Sequence, residues 1–315
     1  MKAIIYQKNG SPEKLVLREV ETPVPAGDQV LVKIHAVSIN AADYRSMRMG
    51  IIPKSRIFGA DVAGRVATVA SALTGFKPGD AVVGDLSGCG FGGFAEYVAA
   101  PGSVWALKPD NLSFEDAAAI PLAGVTALQG LRNVGKIQSG QRVLVCGAGG
   151  GVGTFAVQLA KTFGARVIAV CGPRSVDLVR SFSVDRVIDY SIEDVTLSPE
   201  RYDLILGING GNSLSAYKRL LVARGIYVMV GGPLSQIFSA ILFGTLMSLG
   251  SRKFRFLAAK PNAKDTAYLL QLAAEGRLKP VIERSVPLEQ TPEAMRRAGQ
   301  GHTRGKVVIN VCQDP

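Results

Sequence analysis

Hydrophobic and polar positions follow two different rhythms along this chain. Up to about residue 115, apolar residues alternate or run in short blocks, as in Lys2–Gln7, Leu15–Val20 and Gln29–Ser38. Turn chemistry separates the blocks at Asn9-Gly10-Ser11-Pro12 and from Pro23 to Asp28. The series continues through Phe58–Val69, Ala81–Gly84 after the Phe76-Lys77-Pro78-Gly79-Asp80 turn, and Gly93–Ala99. Short apolar runs bounded by Gly, Pro and Asp read as strands, and many of them together predict a partly open barrel.

The rhythm changes at Ser113. Ser113-Phe114-Glu115-Asp116 reads as a helix start, with Ser113 as N-cap. Strand and helix patterns then alternate. Arg142–Cys146, Arg166–Val170, Arg186–Ile188, Leu204–Gly207 and Gly225–Val230 read as strands; Ser175–Ser181 and Leu214–Leu221 read as helices. Such alternation predicts a doubly wound parallel sheet. Ala263–Ala274 has the spacing of an amphipathic helix, and Lys306–Val311 closes the chain as a strand.

At the head of the alternating region, the apolar run Arg142–Cys146 meets Gly147-Ala148-Gly149-Gly150-Gly151-Val152-Gly153, and a helical pattern follows at once. Strand, glycine turn and helix form the geometry that receives a dinucleotide pyrophosphate. The spacing of Gly147, Gly150 and Gly153 is G-x-x-G-x-x-G, not the strict G-x-G-x-x-G. The N–H groups of Gly151 and Val152 are the expected phosphate donors.

Composition narrows the class. A length of 315 residues suits two domains, and 47% hydrophobic with 19% charged residues describes a globular chain. The net charge of +11 favours anionic partners, among them nucleotide phosphates. The only basic block is Arg252-Lys253-Phe254-Arg255, read as a solvated strand entry, so a nucleic-acid partner is not expected. Cys89, Cys146, Cys171 and Cys312 form no C-x-x-C pair, which argues against a disulfide framework and a metal cage. The N-terminus lacks a signal-peptide pattern, and the expected location is cytoplasmic. Leu234–Leu249 is apolar but short and interrupted by polar residues; it reads as a buried or pocket-lining helix, and membrane contact is not expected.

Five segments in order carry a family likeness: Asn40-Ala41-Ala42-Asp43, Gly59-Ala60-Asp61-Val62-Ala63-Gly64, Phe76–Val82, Pro121-Leu122-Ala123-Gly124-Val125-Thr126-Ala127, and the glycine run. Together they make the chain resemble the medium-chain dehydrogenase/reductase superfamily over essentially its whole length. More narrowly it resembles the zinc-independent quinone oxidoreductase branch, the zeta-crystallin-like and reticulon-interacting-protein-like enzymes. The resemblance implies an α/β protein with a Rossmann doubly wound parallel sheet and a GroES-like β-barrel domain formed by both termini. The expected domains are 1–115 with 285–315, and 116–284 for the dinucleotide. It further implies an active site in the cleft, and a homodimer formed through the Rossmann sheet edge near Gly225–Val230.

Zinc-dependent members of the superfamily place a Cys, a His-Glu pair and a further Cys or acid around the metal. Here the cysteine's place holds the Asn40–Asp43 segment and the His-Glu place holds Ala60-Asp61. His35 and His302 have no partner pattern, so no zinc is expected.

For the coenzyme, the second Rossmann strand ends in Cys171-Gly172-Pro173-Arg174-Ser175, without the acid that would bond a ribose 2′-OH. Arg174 can pair with a 2′-phosphate, Ser175 can replace a hydroxyl that Gly172 lacks, and Tyr190 matches a family tyrosine flanking that phosphate. NADPH is therefore the expected coenzyme. By resemblance Gly147, Gly149, Gly150, Gly151, Val152 and Gly153 cradle it, together with Thr126, Gly231, Gly232, Phe256, Leu257, Asn40 and Lys306.

The candidate catalytic residues are Asn40, as an amide donor to the acceptor oxygen, and Tyr44, as a phenol donor. Asn40 could instead cap a turn, Tyr44 could only pack, and Asp43 is expected to orient the loop. The Leu86–Phe94 segment reads as a flexible rim with Phe91 and Phe94 as apolar walls, or as a structural turn. The expected reaction is hydride delivery to a quinone or an α,β-unsaturated carbonyl. A carbonyl/alcohol dehydrogenase is the alternative enzyme, and a nucleotide-regulated RNA- or membrane-binding protein the alternative of another class.

Overall fold

The computed structural model describes residues 1–7, 12–70, 75–209, 211–231, 250–301 and 303–312. The chain folds as two compact units, Met1–Val125 with Lys260–Pro315, and Thr126–Ala259.

In the first unit, β1 (Lys2–Tyr6) and β2 (Leu15–Glu19) form an antiparallel hairpin. The larger sheet is built from β3 (Gln29–Ile39), β4 (Asp61–Val69), β5 (Ala81–Asp85), β6 (Tyr97–Pro101) and β7 (Trp105–Leu107), with two strands from the C-terminal end of the chain. Helix α1 (Ala41–Arg48) follows β3 directly, and α2 (Phe114–Ala118) follows β7. Ser113 caps α2 as the pattern predicts, its hydroxyl accepting from the Asp116 N–H at 3.0 Å. Helix α3 (Pro121–Leu128) leads into the second unit.

That unit alternates as expected: β8 (Arg142–Cys146), α4 (Gly151–Thr162), β9 (Arg166–Cys171), α5 (Val176–Arg180), β10 (Arg186–Asp189), β11 (Tyr202–Gly207), α6 (Leu214–Leu220), β12 (Leu221–Met229) and β13 (Lys253–Phe256). The sheet order is β10-β9-β8-β11-β12-β13, all parallel. The order reverses between β8 and β11, which is the switch point of a doubly wound sheet. The segment Gly225–Val230 is not an edge, because β12 pairs with β11 on one side and β13 on the other. Among the described residues the edge at that end is β13, Lys253–Phe256.

The chain then returns to the first unit with α7 (Ala263–Ala274), β14 (Ile282–Pro287), α8 (Thr291–Gly299) and β15 (Lys306–Asn310). The unit boundaries therefore fall at 125 and 259, not at 115 and 284. The reason is packing: α7 lays its apolar face, with Leu269, Leu270 and Leu272 buried, against β5 and β7 of the first unit. The seven-stranded sheet runs β14-β15-β3-β4-β5-β7, and β6 pairs with β3. Its core gathers Ile4, Val30, Val32, Ile34, Phe58, Phe94 and Trp105. Phe94 is thus fully buried, which fits a structural turn at this residue and not an apolar wall. Phe91 and Cys89 do line a cavity of about 780 Å³ in this unit, together with Ile51, Ile52 and Ile57. Burial pushes the Cys89 thiol up to about 11, away from the reactive range. His35 is buried on β3 and stacks on Phe114 at 4.2 Å. His302, Gly232 and Leu234–Leu249 lie outside the described residues. Among the described residues no helix is long and apolar enough to cross a membrane.

Candidate active site

The glycine run lies where β8 meets α4. Gly147 takes φ 90°, in the left-handed region that favours glycine, and its N–H and that of Ala148 donate to the Val170 carbonyl at 3.0 and 2.9 Å. Gly153 sits in the first turn of α4, pressed against this turn: a Cβ there would lie 2.1 Å from the Gly147 carbonyl oxygen. Helix α4 runs for twelve residues behind Gly150. The N–H groups of Gly151 and Val152, at its N-terminus, lack intrahelical acceptors and face any anion placed there. A cradle whose side-chain positions are emptied by glycine, at a helix N-terminus and at the head of the first parallel strand, fits a dinucleotide pyrophosphate.

Apart from Thr126 on α3, the remaining described coenzyme candidates of this unit lie at the C-terminal ends of its strands. Beyond β9, Gly172 enters a single tight turn, Pro173–Ser175, with Arg174 exposed and Ser175 buried. The Ser175 hydroxyl lies against Gly149, where a Cβ would approach it to 2.4 Å. Tyr190 donates its N–H to the Cys171 carbonyl at 3.1 Å, and its exposed ring covers Gly172. A Cβ on Gly172 would meet the Tyr190 hydroxyl at 2.7 Å. Gly231 donates its N–H to Gly207 beyond β12, and Leu257 to Met229 beyond β13. Leu257 is buried, Phe256 is half exposed, and Thr126 is buried on α3.

The first unit holds a buried polar cluster that the sheet register creates. In the antiparallel rows, Val308 of β15 faces Ser38 of β3, Ser38 faces Asp61 of β4, and Asp61 faces Asp85 of β5. Lys306 starts β15 next to the point where β3 ends and Asn40 begins α1. Its Nζ donates to Asn40 Oδ1 at 2.5 Å and lies 3.5 Å from Asp61 Oδ2. The Asn40 Nδ2 group donates to Asp61 Oδ2 at 2.9 Å and to the Ser38 carbonyl at 3.2 Å. Asp61 also accepts from the Ser38 hydroxyl at 3.1 Å and the Leu122 N–H at 3.0 Å.

Asn40 is the N-cap of α1 by position, yet its amide turns into this cluster. Asp43 serves the helix start in its stead, accepting from the Asn40 N–H at 2.8 Å, and it also accepts from the Gly59 N–H at 3.0 Å. This arrangement supports its orienting role. Gly59 takes φ 98°, and a Cβ there would strike the Phe94 nitrogen at 2.6 Å, so the loop passes only with glycine. Tyr44 packs its ring against α8, where a Cβ on Gly299 would be 2.2 Å from it, and against Arg48.

Burial dominates the electrostatics. It pushes the Asp43 carboxyl up to about 7. It pushes Asp85 up to about 6, with the Asp61 charge adding to the rise. Burial also raises Asp61 and lowers Lys306, while their mutual attraction opposes both shifts.

These residues do not fit a catalytic zinc. By family resemblance the Asn40–Asp43 segment takes the cysteine's place and Ala60-Asp61 that of the His-Glu pair, and the oxygens of Asn40 and Asp61 already face the Lys306 ammonium. A second cation there would meet a fixed positive charge and no soft donor. Among the described residues no group of three or more His, Cys, Asp or Glu is arranged to hold a metal ion.

Sequence reasoning singled out Asn40 and Lys306 separately and missed Asp61 as their shared partner, with Asp85 facing it across the strands. The signal was an aspartate set inside or at the end of an otherwise apolar strand run, twice.

Comparison with known proteins agrees with the fold and with the motif order. Residues 26–110 match the alcohol dehydrogenase GroES-like domain, and residues 182–309 match the zinc-binding dehydrogenase family. The chain is 33% identical to the chloroplast envelope quinone oxidoreductase homolog of Arabidopsis thaliana, covering 92% of each chain. It is 36% identical to the 2-methylene-furan-3-one reductase of Solanum lycopersicum, covering 98% of this chain and 79% of that one. The solved structure of the quinone oxidoreductase from Coxiella burnetii superposes with a TM-score of 0.90 at 30% identity, covering 99% of both chains. With its parallel dinucleotide-binding sheet, its GroES-like unit and these relatives, the chain belongs to the medium-chain dehydrogenase/reductase superfamily, beside members named quinone oxidoreductases.

Proposed function

We propose that this protein is a zinc-independent, NADPH-dependent oxidoreductase that reduces a quinone or the double bond of an α,β-unsaturated carbonyl. The observation that carries the reading is the Lys306 ammonium lodged between Asn40 and Asp61, in the segments that by resemblance stand where zinc-dependent members carry their Cys and His-Glu pair. Without a Lewis acid, alcohol and simple carbonyl chemistry is disfavoured, and an electron-poor acceptor that needs little activation is favoured. Relatives named for quinones and for a 2-methylene-furan-3-one support this substrate class.

The reduced nicotinamide, when bound, supplies a hydride. Gly151 and Val152 hold the pyrophosphate at the start of α4, with Gly149, Gly150 and Gly153 leaving room for it. Arg174 supplies a forked cation for a 2′-phosphate, with no acid at the end of β9 to repel it. Asn40 offers an amide N–H to the acceptor oxygen as negative charge grows there. The weaker of its two bonds, to the Ser38 carbonyl at 3.2 Å, is the one to be shared. The resulting enolate or hydroquinone anion takes its proton from solvent.

A two-by-two assay tests the reading: NADPH against NADH, and 9,10-phenanthrenequinone against an alkenal. Faster turnover with NADPH and at least one acceptor class is expected. No turnover with either class, by protein that binds NADPH, overturns it.

A further inference from the structure

We infer that Lys306 is a positioning residue, a tethered cation that fixes the orientation of the Asn40 amide and works through Asn40 alone. The inference rests on the functional reading for its catalytic consequence, but its geometry stands apart from it.

Donors and acceptors fix the amide. An ammonium can only donate and an ionised carboxylate can only accept. With Lys306 on one side of the Asn40 amide and Asp61 on the other, only one of two amide orientations satisfies both, oxygen toward Lys306 and nitrogen toward Asp61. A flipped amide would set N–H against the ammonium and oxygen against both the carboxylate and the Ser38 carbonyl. All three side chains are at least nine-tenths buried, so water is a poor substitute for any lost partner.

Asp61 faces Asp85 across the strands, and Asp43 lies buried on α1 close enough for its charge to act on Lys306. The ammonium is the donor that the Asn40 Oδ1 faces, so a substitution at position 306 that removes it leaves that buried oxygen without this partner and lifts one of the two restraints on the amide. The family resemblance groups Lys306 with the coenzyme ligands, whereas among the described residues its ammonium contacts Asn40 and Asp61.

The test is a double-mutant cycle read two ways on the full-length protein. Lys306→Met should lower kcat by about 10- to 100-fold, the usual cost of a misplaced reacting partner. It should leave the NADPH Kd, read by quenching of protein fluorescence, within about 2-fold of wild type, since no coenzyme contact is removed. In an Asn40→Ala background the same substitution should have no further effect on kcat. The second readout needs no turnover. In protein labelled with ¹⁵N-asparagine, the Asn40 side-chain NH₂ signal, identified by its loss in Asn40→Ala, should exchange with solvent at least about 10-fold faster in Lys306→Met, and Lys306→Gln should restore part of the protection.

Additive effects of Lys306→Met and Asn40→Ala, or an NADPH Kd that rises with the loss of kcat, would overturn the inference. Unchanged amide exchange would overturn it as well. Should Lys306→Met not fold, Lys306→Gln and Lys306→Arg carry the same exchange measurement. If the wild type turns over no quinone or enone, the functional reading fails while the exchange measurement still decides the positioning role.

Discussion

Gly153 and Gly147 touch so closely that a single added carbon on the first would sit 2.1 Å from the carbonyl oxygen of the second. The atoms it would strike, including the Ala148 backbone at 2.7 Å, belong to the main chain and have no rotamer to yield. Gly153→Ala should therefore cost about 3 kcal/mol of stability and open the turn that cradles the pyrophosphate. Urea denaturation and an NADPH titration check this; a variant with wild-type midpoint and affinity would refute the packing.

Arg174 follows β9 on the exposed turn Pro173–Ser175. If its guanidinium pairs with a 2′-phosphate, Arg174→Ala should raise the NADPH Michaelis constant about 10-fold, the worth of one charge-assisted contact. The NADH constant should hardly move. Equal effects on both coenzymes would remove Arg174 from the specificity site.

Gly172 leaves space that the Tyr190 hydroxyl fills, 2.7 Å from where a Cβ would stand. Because that atom is the far end of an exposed side chain, Gly172→Ser should displace Tyr190 and cost less than about 1 kcal/mol. The cost should vanish when the same change is made in a Tyr190→Ala background. A penalty that persists there, read from thermal melts of the four proteins, would mean that the backbone and not the tyrosine resists the side chain.

Asp43 makes stability depend on pH in a direction opposite to that of a salt-bridged carboxylate. Its folded pKa is raised by burial to about 7 from 3.8, so between these values the folded chain holds a proton that the unfolded chain has released. Stability from this group is then full below pH 4 and falls as pH rises toward 7. Asp43→Asn cannot titrate, so the wild type should lose stability relative to it between pH 4 and pH 7. Melting temperatures of both proteins across that range check the sign. A gap between them that stays constant with pH would show that Asp43 is ionised throughout.

Much of this architecture was legible in residue order because it is set by local chemistry. Ser113 caps α2, Ala263–Ala274 is helical within those bounds, and Arg142–Cys146 runs into the glycine turn; each depends on residues a few positions apart. Hydrophobic period and turn residues carry that information directly. The sheet edge was misplaced onto Gly225–Val230 because pairing order is not a local property, and Lys253–Phe256, mostly exposed, lacks the buried-strand signal.

Residue order alone is enough for the class of protein: a parallel dinucleotide-binding sheet, a strand-rich unit built from both chain ends, and no family pattern of zinc ligands at Asn40 and Ala60-Asp61. The wiring of the site depends on the folded chain. Asn40 and Lys306 stand 266 residues apart and meet because β15 returns antiparallel to β3. Neither residue carries a local mark of the other, and the one that supplies the buried positive charge could be found only where the strands bring it, beside Asp61.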